Sequence, residues 1–325
     1  MKGNTLMFDV LCVGLMVGDI IVSPVGKHIM EADTCPIERI GYFTGGDALN
    51  TAVALSRLGK KVKAAGVVGT DPMGNLIMEN ARKECVDMGG VTMREDVPTS
   101  TSVILTEQNG ERHIAYFGGS NELFTQDMVA DADIMAARVV HVGSAMELPA
   151  LDGDGLARLF ERAKGMGRLT SFDCSFDKEG VWLAKIEKAL HFTDIFIPSY
   201  DEAVAITGQT EPREMARFLE GYGLRVFGVK LGAKGAWLTD FANEYRLGIF
   251  PADPVVDTTG AGDCFMAGFL SVYPEGGDVR EAGIFAAATS KFCVEAAGAV
   301  TNIPSMETVR RYIAGSYCEC EVRSY

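Results

Sequence analysis

Histidine and positive charge are scarce in this 325-residue chain. Four histidines leave little material for a zinc enzyme built on imidazole ligands. Thirty basic against 44 acidic residues give a formal charge of −14, which repels nucleic-acid phosphates unless the basic residues cluster. They do not; the densest spot, Lys60-Lys61-Val62-Lys63, falls where a helix should end and a strand begin. No apolar run approaches the ~20 residues of a membrane span. Residues 1–9 carry no apolar signal-peptide core and run straight into a strand-like segment. These absences predict a cytoplasmic protein with neither nucleic acid nor membrane as partner. A Walker-type phosphate loop is also missing, because Gly59-Lys60 has Ala54 rather than Gly five residues before it. The eight cysteines are scattered, and Cys12, Cys174, Cys264 and Cys293 lie in apolar segments as small buried hydrophobes do. Cys318-Glu319-Cys320, with no histidine nearby, is a weak metal signal.

What is present is alternation. Apolar runs of strand length at 9–17, 62–69, 138–144, 169–175, 194–198 and 225–231 are separated by segments of helical period at 48–58, 74–85, 155–164, 200–207, 213–221 and 280–297. That rhythm predicts one α/β unit, a doubly wound, mostly parallel sheet with helices on both faces. Two stretches break it. Residues 101–107 and 111–117 are strand-like runs joined by Gln108-Asn109-Gly110, and Asn-Gly is a strong hairpin signal. Residues 18–43, with Pro24, Pro36 and the apolar pairs Ile20-Ile21 and Ile29-Met30, have no helical period. Both read as excursions forming a small antiparallel platform, either a binding wall or plain surface hairpins.

Two constellations carry chemistry. Asp257-Thr-Thr-Gly-Ala-Gly-Asp263 leads into a helical segment over 263–272, so Gly260, Ala261 and Gly262 fall at a helix N-terminus. There, unpartnered N–H groups and the helix dipole favour an anion, and glycine lets it approach the backbone. Asp263 is then either dipole compensation or a general base aimed at the same spot. The segment matches two glycines of G-x-G-x-x-G, but Phe265 stands in the third place, against dinucleotide binding. The second constellation, Thr44-Gly45-Gly46-Asp47-Ala-Leu-Asn50, opens a helix that Gly59 should close. Asp47 and Asn50 either cap that helix or, with Gly45 and Gly46 bare beside them, bond the hydroxyls of a polyol. Asp19, just past the first strand run, lies where α/β sheets bind ligands, or is a turn residue.

Together, Gly-Gly-Asp-Ala-Leu-Asn-Thr-Ala near residue 50 and Asp-Thr-Thr-Gly-Ala-Gly-Asp-Cys-Phe near residue 260 resemble the two signatures of the ribokinase-like (PfkB) carbohydrate kinase family over essentially the whole chain. Pro24-Val25-x-Lys27, Pro36-Ile-Glu-Arg39-Ile40 and the Thr44–Asn50 segment are similar to a bacterial sugar-kinase subgroup. The resemblance implies a core of 1–17, 44–100 and 118–325 with a β-lid of 18–43 and 101–117. It also implies an ATP-dependent sugar kinase that phosphorylates a primary hydroxyl, works with Mg²⁺, and forms a homodimer through the lid. Asp263 would be the base and the turn Gly260-Ala261-Gly262 the anion hole. Asp19, Gly45, Gly46, Asp47, Asn50 and Glu147 would bind the sugar. Glu202 would organise Mg²⁺ through water, with Ser199 standing where the family has Asn. Lys230, Gly232 and Gly235 would line the nucleotide. Asp257, Thr259, Cys293, Ala296, Gly298 and Asn302 would match a loop for a monovalent cation such as K⁺. Asp47 replaces the Lys of several ribose and fructose-phosphate kinases, which disfavours a phospho-sugar; Arg39 and Arg112 in the lid segments could serve a carboxylate. A nucleoside acceptor, a non-catalytic sugar- or nucleotide-binding regulator and an NAD-dependent oxidoreductase are the competing readings.

Overall fold

The computed structural model describes residues 7–26, 28, 29, 31, 33–108 and 111–325. Residues 1–6, Lys27, Met30, Ala32 and the expected Asn109-Gly110 turn lie outside the described residues. The strands are β1 (Phe8–Gly14), β2 (Val17–Val25), β3 (Arg39–Gly45), β4 (Val62–Gly69), β5 (Asp87–Arg94), β6 (Thr101–Glu107), β7 (Arg112–Phe117), β8 (Ala137–Ala145), β9 (Leu169–Cys174), β10 (Ile195–Phe196), β11 (Val226–Lys230), β12 (Ala236–Thr239), β13 (Asn243–Leu247) and β14 (Cys320–Ser324). The helices are α1 (Asp47–Arg57), α2 (Pro72–Lys83), α3 (Asp131–Ala136), α4 (Asp154–Gly165), α5 (Leu183–Leu190), α6 (Tyr200–Thr207), α7 (Pro212–Leu219), α8 (Ala261–Val272), α9 (Val279–Val294) and α10 (Met306–Ala314).

The main sheet runs in the order β14, β13, β12, β11, β10, β9, β8, β1, β4, β5. Pairing is parallel from β5 through β11 and antiparallel from β11 to β14. Strands β1, β4 and β8 are buried on both faces because α1, α2, α8, α9 and α10 cover one side and α3 to α7 the other. A Val- and Ala-rich run without polar alternation fits that double burial.

The apolar run over 9–17, expected as one strand, is two. Gly14 has φ +138°, and a Cβ there would stand 2.3 Å from the Gly143 carbonyl oxygen. The chain therefore turns at Leu15-Met16, where the Asn121 side-chain amide bonds the Met16 backbone at both ends (3.0 and 3.3 Å). It then leaves the main sheet as β2. The second sheet runs β3, β2, β6, β7. Its hairpins are antiparallel, while β2 and β6 at its centre are parallel, since both emerge from the body in the same direction. It stands over the carboxyl ends of the parallel strands, the edge at which α/β sheets bind ligands. Helices α1 and α8 both start at this edge.

Candidate active site

Gly260 precedes α8 with φ +76°, and a Cβ on it would fall 2.7 Å from the Ala299 backbone. Only glycine fits that left-handed, crowded position. The Ala261 N–H is taken by the Thr258 carbonyl (3.2 Å), so this residue of the expected anion hole spends its donor in the turn. Among the described residues the N–H groups of Gly260, Gly262 and Asp263 find no acceptor in the chain. Asp263 itself is buried, and its Oδ2 accepts a bond from Asn50 Nδ2 at 2.8 Å. Burial first, and then the carboxylates of Asp47 and Asp173, hold its pKa well above the ordinary carboxylate range, against the Asn50 bond and the Lys230 ammonium.

Lys230, at the end of β11, pairs with Asp173 at the end of β9. Burial opposes its charge, but Asp173 and Glu202 outweigh burial and hold the ammonium above its ordinary value. Asp173 and Glu202 are both raised, each chiefly by burial; Lys230 opposes this in both, and Asp173 adds to the rise at Glu202. Glu202 accepts the Ser199 N–H (2.8 Å) and so caps α6. A Cβ on Gly262 would lie 3.2 Å from Lys230 Nζ, which puts the ammonium at the mouth of the α8 N-terminus. The site therefore holds more buried carboxylates than cations, an imbalance that a positively charged ligand would relieve. From Ser199, Lys230 and Gly232 a cavity of about 780 Å³ opens toward Trp237 and Arg246.

On the other side, Asp47 does not cap α1. Gly46 is the N-cap, with φ +95° and a would-be Cβ 2.5 Å from the Leu15 carbonyl oxygen. The Asp47 carboxylate instead accepts the hydroxyls of Ser144 (2.5 Å) and Ser175 (3.0 Å). A Cβ on Gly45 would meet Asp19 Oδ2 at 2.5 Å, so the bare backbone makes room for that acid. Burial raises the Asp19 pKa, opposed by a bond from Ser102. Strand register sets Phe43, Asp19, Ser102 and Tyr116 in one row across the small sheet. From the same face Arg112 reaches down to Thr259 Oγ1 (2.9 Å) and lies 3.9 Å from Asp257. Glu147 pairs with Lys178 at 3.0 Å.

A sequence profile described as "pfkB family carbohydrate kinase" matches residues 7–306. The chain belongs to that family. A nucleoside kinase of Methanothermobacter thermautotrophicus is 29% identical over 94% of this chain and 96% of its own length. An uncharacterized sugar kinase of Archaeoglobus fulgidus is 30% identical over 78% of this chain and 98% of that protein. The structure of Arabidopsis thaliana ribokinase complexed with ribose and ATP superposes with a TM-score of 0.80, at 25% identity, over 94% of this chain and 98% of that one. This PfkB-family chain is an ATP-dependent phosphotransferase with an alcohol group as acceptor, of the sugar and nucleoside kinase kind. The dinucleotide-linked oxidoreductase reading falls with that membership.

In this kinase Asp263, Asn50, Asp47, Lys230 and Glu202 converge. Gly46 and Gly235 face protein backbone; a Cβ on Gly235 (φ +87°) would collide with the Leu247 carbonyl, so its bareness serves the Gly232–Lys234 turn. The residues expected around a monovalent cation form a separate loop cluster. Asp257 accepts the N–H groups of Thr259 (2.9 Å) and Gly298 (3.1 Å), and Cys293 Sγ donates to the carbonyls of Thr259 (3.4 Å) and Ala299 (3.0 Å). There too, the Cys293 carbonyl accepts the Ala296 N–H and Asn302 Nδ2 donates to Phe292. Three polar residues escape the sequence motifs: Asp173, Ser144 and Ser175. Asp173 and Ser144 sit at the carboxyl ends of expected strands, a signal that could have found them.

Proposed function

We propose that this kinase transfers the γ-phosphoryl group of ATP to a primary hydroxyl of a neutral monosaccharide or sugar acid. The observation that supports it most is the buried Asp263 carboxylate, bonded to Asn50 and next to unpartnered N–H donors at the start of α8. The acceptor hydroxyl, held by Asn50, Asp47 and Asp19, attacks Pγ; its proton goes to Asp263, and the bond from Pγ to the β-bridging oxygen breaks to release ADP. Phosphoryl transfer asks for positioning and charge neutralisation more than covalent help. Open N–H groups of Gly260 and Gly262 and the Lys230 ammonium would serve the migrating negative charge. Ser199, Lys230, Gly232 and Gly235 would line the nucleotide.

The excess of buried carboxylate fits a divalent cation carried in by the nucleotide. Among the described residues no cluster of acidic, His or Cys side chains could hold a metal unaided. Glu202 and Asp173 would thus hold Mg²⁺ through water and nucleotide oxygens, and the ion supplies neutralisation of phosphate charge. Asp257, Thr259, Cys293, Ala296, Gly298 and Asn302 are assigned to a K⁺ loop behind the turn.

A nucleoside acceptor is the second reading. Phe43, half exposed, shares the cleft-facing row with Asp19 and Tyr116 and offers a base a stacking surface. The small sheet's opposite face carries Ile20, Val22, Ile40, Tyr42, Val103 and Leu105; with Ile40 53% and Tyr42 57% exposed, a second copy of the chain would cover it. The deciding assay is ADP release from MgATP across monosaccharides from five to seven carbons, sugar acids and nucleosides. Turnover with a monosaccharide or sugar acid is expected. Nucleoside-only turnover selects the second reading, and acceptor binding without ADP formation refutes both.

A further inference from the structure

Lys178 lies outside every motif, yet it touches two other elements of the acceptor side. Its ammonium pairs with Glu147 Oε1 at 3.0 Å and stands 4.9 Å from the ring centre of Tyr116 on β7. Glu147 is the deeper partner, 23% exposed against 66% for Lys178. The loop that presents Glu147 is held in costly backbone. Ser144 (φ +67°) and Met146 (φ +82°) are non-glycine residues in left-handed conformations, and Asp152 pins the loop by accepting the N–H groups of Met146 (2.9 Å) and Leu148 (3.0 Å). Such strain persists where the surroundings over-determine a functional geometry.

The polar groups run in a continuous series. Asp263 bonds Asn50; Asn50 lies one helical turn from Asp47; Asp47 bonds Ser144 and Ser175; Glu147 and Lys178 follow three residues after each serine. Tyr116 then closes the series through its register with Ser102 and Asp19. The Glu147–Lys178 pair therefore stands at the other end of this series from Asp263. A carboxylate placed there would meet Glu147 as well as Lys178, whereas two adjacent hydroxyls satisfy both partners, one accepting from Nζ and one donating to Oε1.

Building on the sugar-kinase reading, we propose that Lys178, paired with Glu147, is the specificity residue of the acceptor site and reads a neutral vicinal diol at the end remote from the phosphorylated hydroxyl. A site built to bond a hydroxyl discriminates strongly against an analogue lacking it. The test measures kcat and KM for D-ribose against 2-deoxy-D-ribose, and for D-fructose against 2-dehydro-3-deoxygluconate, in wild type, Lys178→Met and Lys178→Arg. Exposure of Lys178 means both variants should fold, checked by unchanged melting temperature. Expected is a preference of tenfold or more for the diol-bearing sugar in wild type. Lys178→Met should lose it through a higher acceptor KM, with the ATP KM within twofold, and Lys178→Arg should retain it. Undiminished discrimination in Lys178→Met, or a fall in kcat at constant KM, overturns the assignment while leaving the kinase reading intact. Wild-type enzyme inactive on all four probes but active on nucleosides would remove the sugar reading and this inference together.

Discussion

Replacing Asp263 by Asn separates the two consequences of burying the acid proposed as the base. The amide keeps an oxygen for the Asn50 N–H and nearly the same volume, but it accepts no proton from the attacking alcohol. Losing a general base costs about 10²- to 10⁴-fold in kcat, or about 3–5 kcal/mol of barrier. Affinity for sugar and MgATP should stay within about an order of magnitude, because the contacts are otherwise kept. Stability should move the other way. The folded enzyme holds Asp263 well above the ordinary carboxylate range, through burial and the nearby Asp47 and Asp173. A raised folded-state pKa contributes stability that is fully present below the unfolded value near ~4 and is lost as pH rises through the folded value. Above the unfolded value the wild type therefore loses stability as pH rises, and each tenfold rise in the proton affinity of Asp263 represents about 1.4 kcal/mol. Asp263→Asn should melt higher than wild type at pH 8, by roughly 2 °C for each kcal/mol regained in a chain of this size, with the gap closing toward pH 4. Thermal melts from pH 4 to 8 and steady-state kinetics on the same preparations check both halves. An identical melting gap at both pH extremes, or a kcat within tenfold of wild type, refutes the reasoning.

Other expectations follow from the same geometry. If Asp263 is the base as proposed, the acid limb of kcat/KM against pH should fall well above the usual carboxylate range, since a base acts deprotonated; a limb near pH 4 would contradict this. Lys230→Met strands the buried carboxylates of Asp173 and Glu202 and should cost about 3–5 kcal/mol in denaturant unfolding. Adding Asp173→Asn should recover much of that loss, and purely additive effects would argue against the pairing. Gly260→Ala must adopt φ +76° against the Ala299 backbone and should lose more than about 2 kcal/mol. Gly262→Ala meets only the flexible end of Lys230, so it should fold normally and lose turnover; equal destabilisation of both would count against the geometry. Arg112→Ala removes the small sheet's contact with Thr259 and should leave stability within about 0.5 kcal/mol while lowering acceptor kcat/KM about tenfold. Unaltered kinetics would show that this contact does not serve the acceptor site.

The parallel core was legible because Val-, Ala- and Leu-rich strands alternating with amphipathic helices admit few other arrangements. The α8 turn was legible because a glycine pair before an acid at a helix start has a local physical meaning. Strands β5 and β12 to β14 were not: β5 has two glycines, β12 is four residues long and β14 is mostly exposed, so periodicity carries little signal there. Asp47 reads locally as a helix cap, yet its partners Ser144 and Ser175 lie 97 and 128 residues away. Asp173 belongs to an ordinary strand until β11 delivers Lys230 beside it. Local chemistry in the chain thus determined the parallel core, the glycine turn and the acid proposed as base beside it. Tertiary structure alone decided which carboxylates crowd that acid and which cation answers them, because electrostatic coupling depends on distance through space and desolvation, neither of which is written in neighbouring residues.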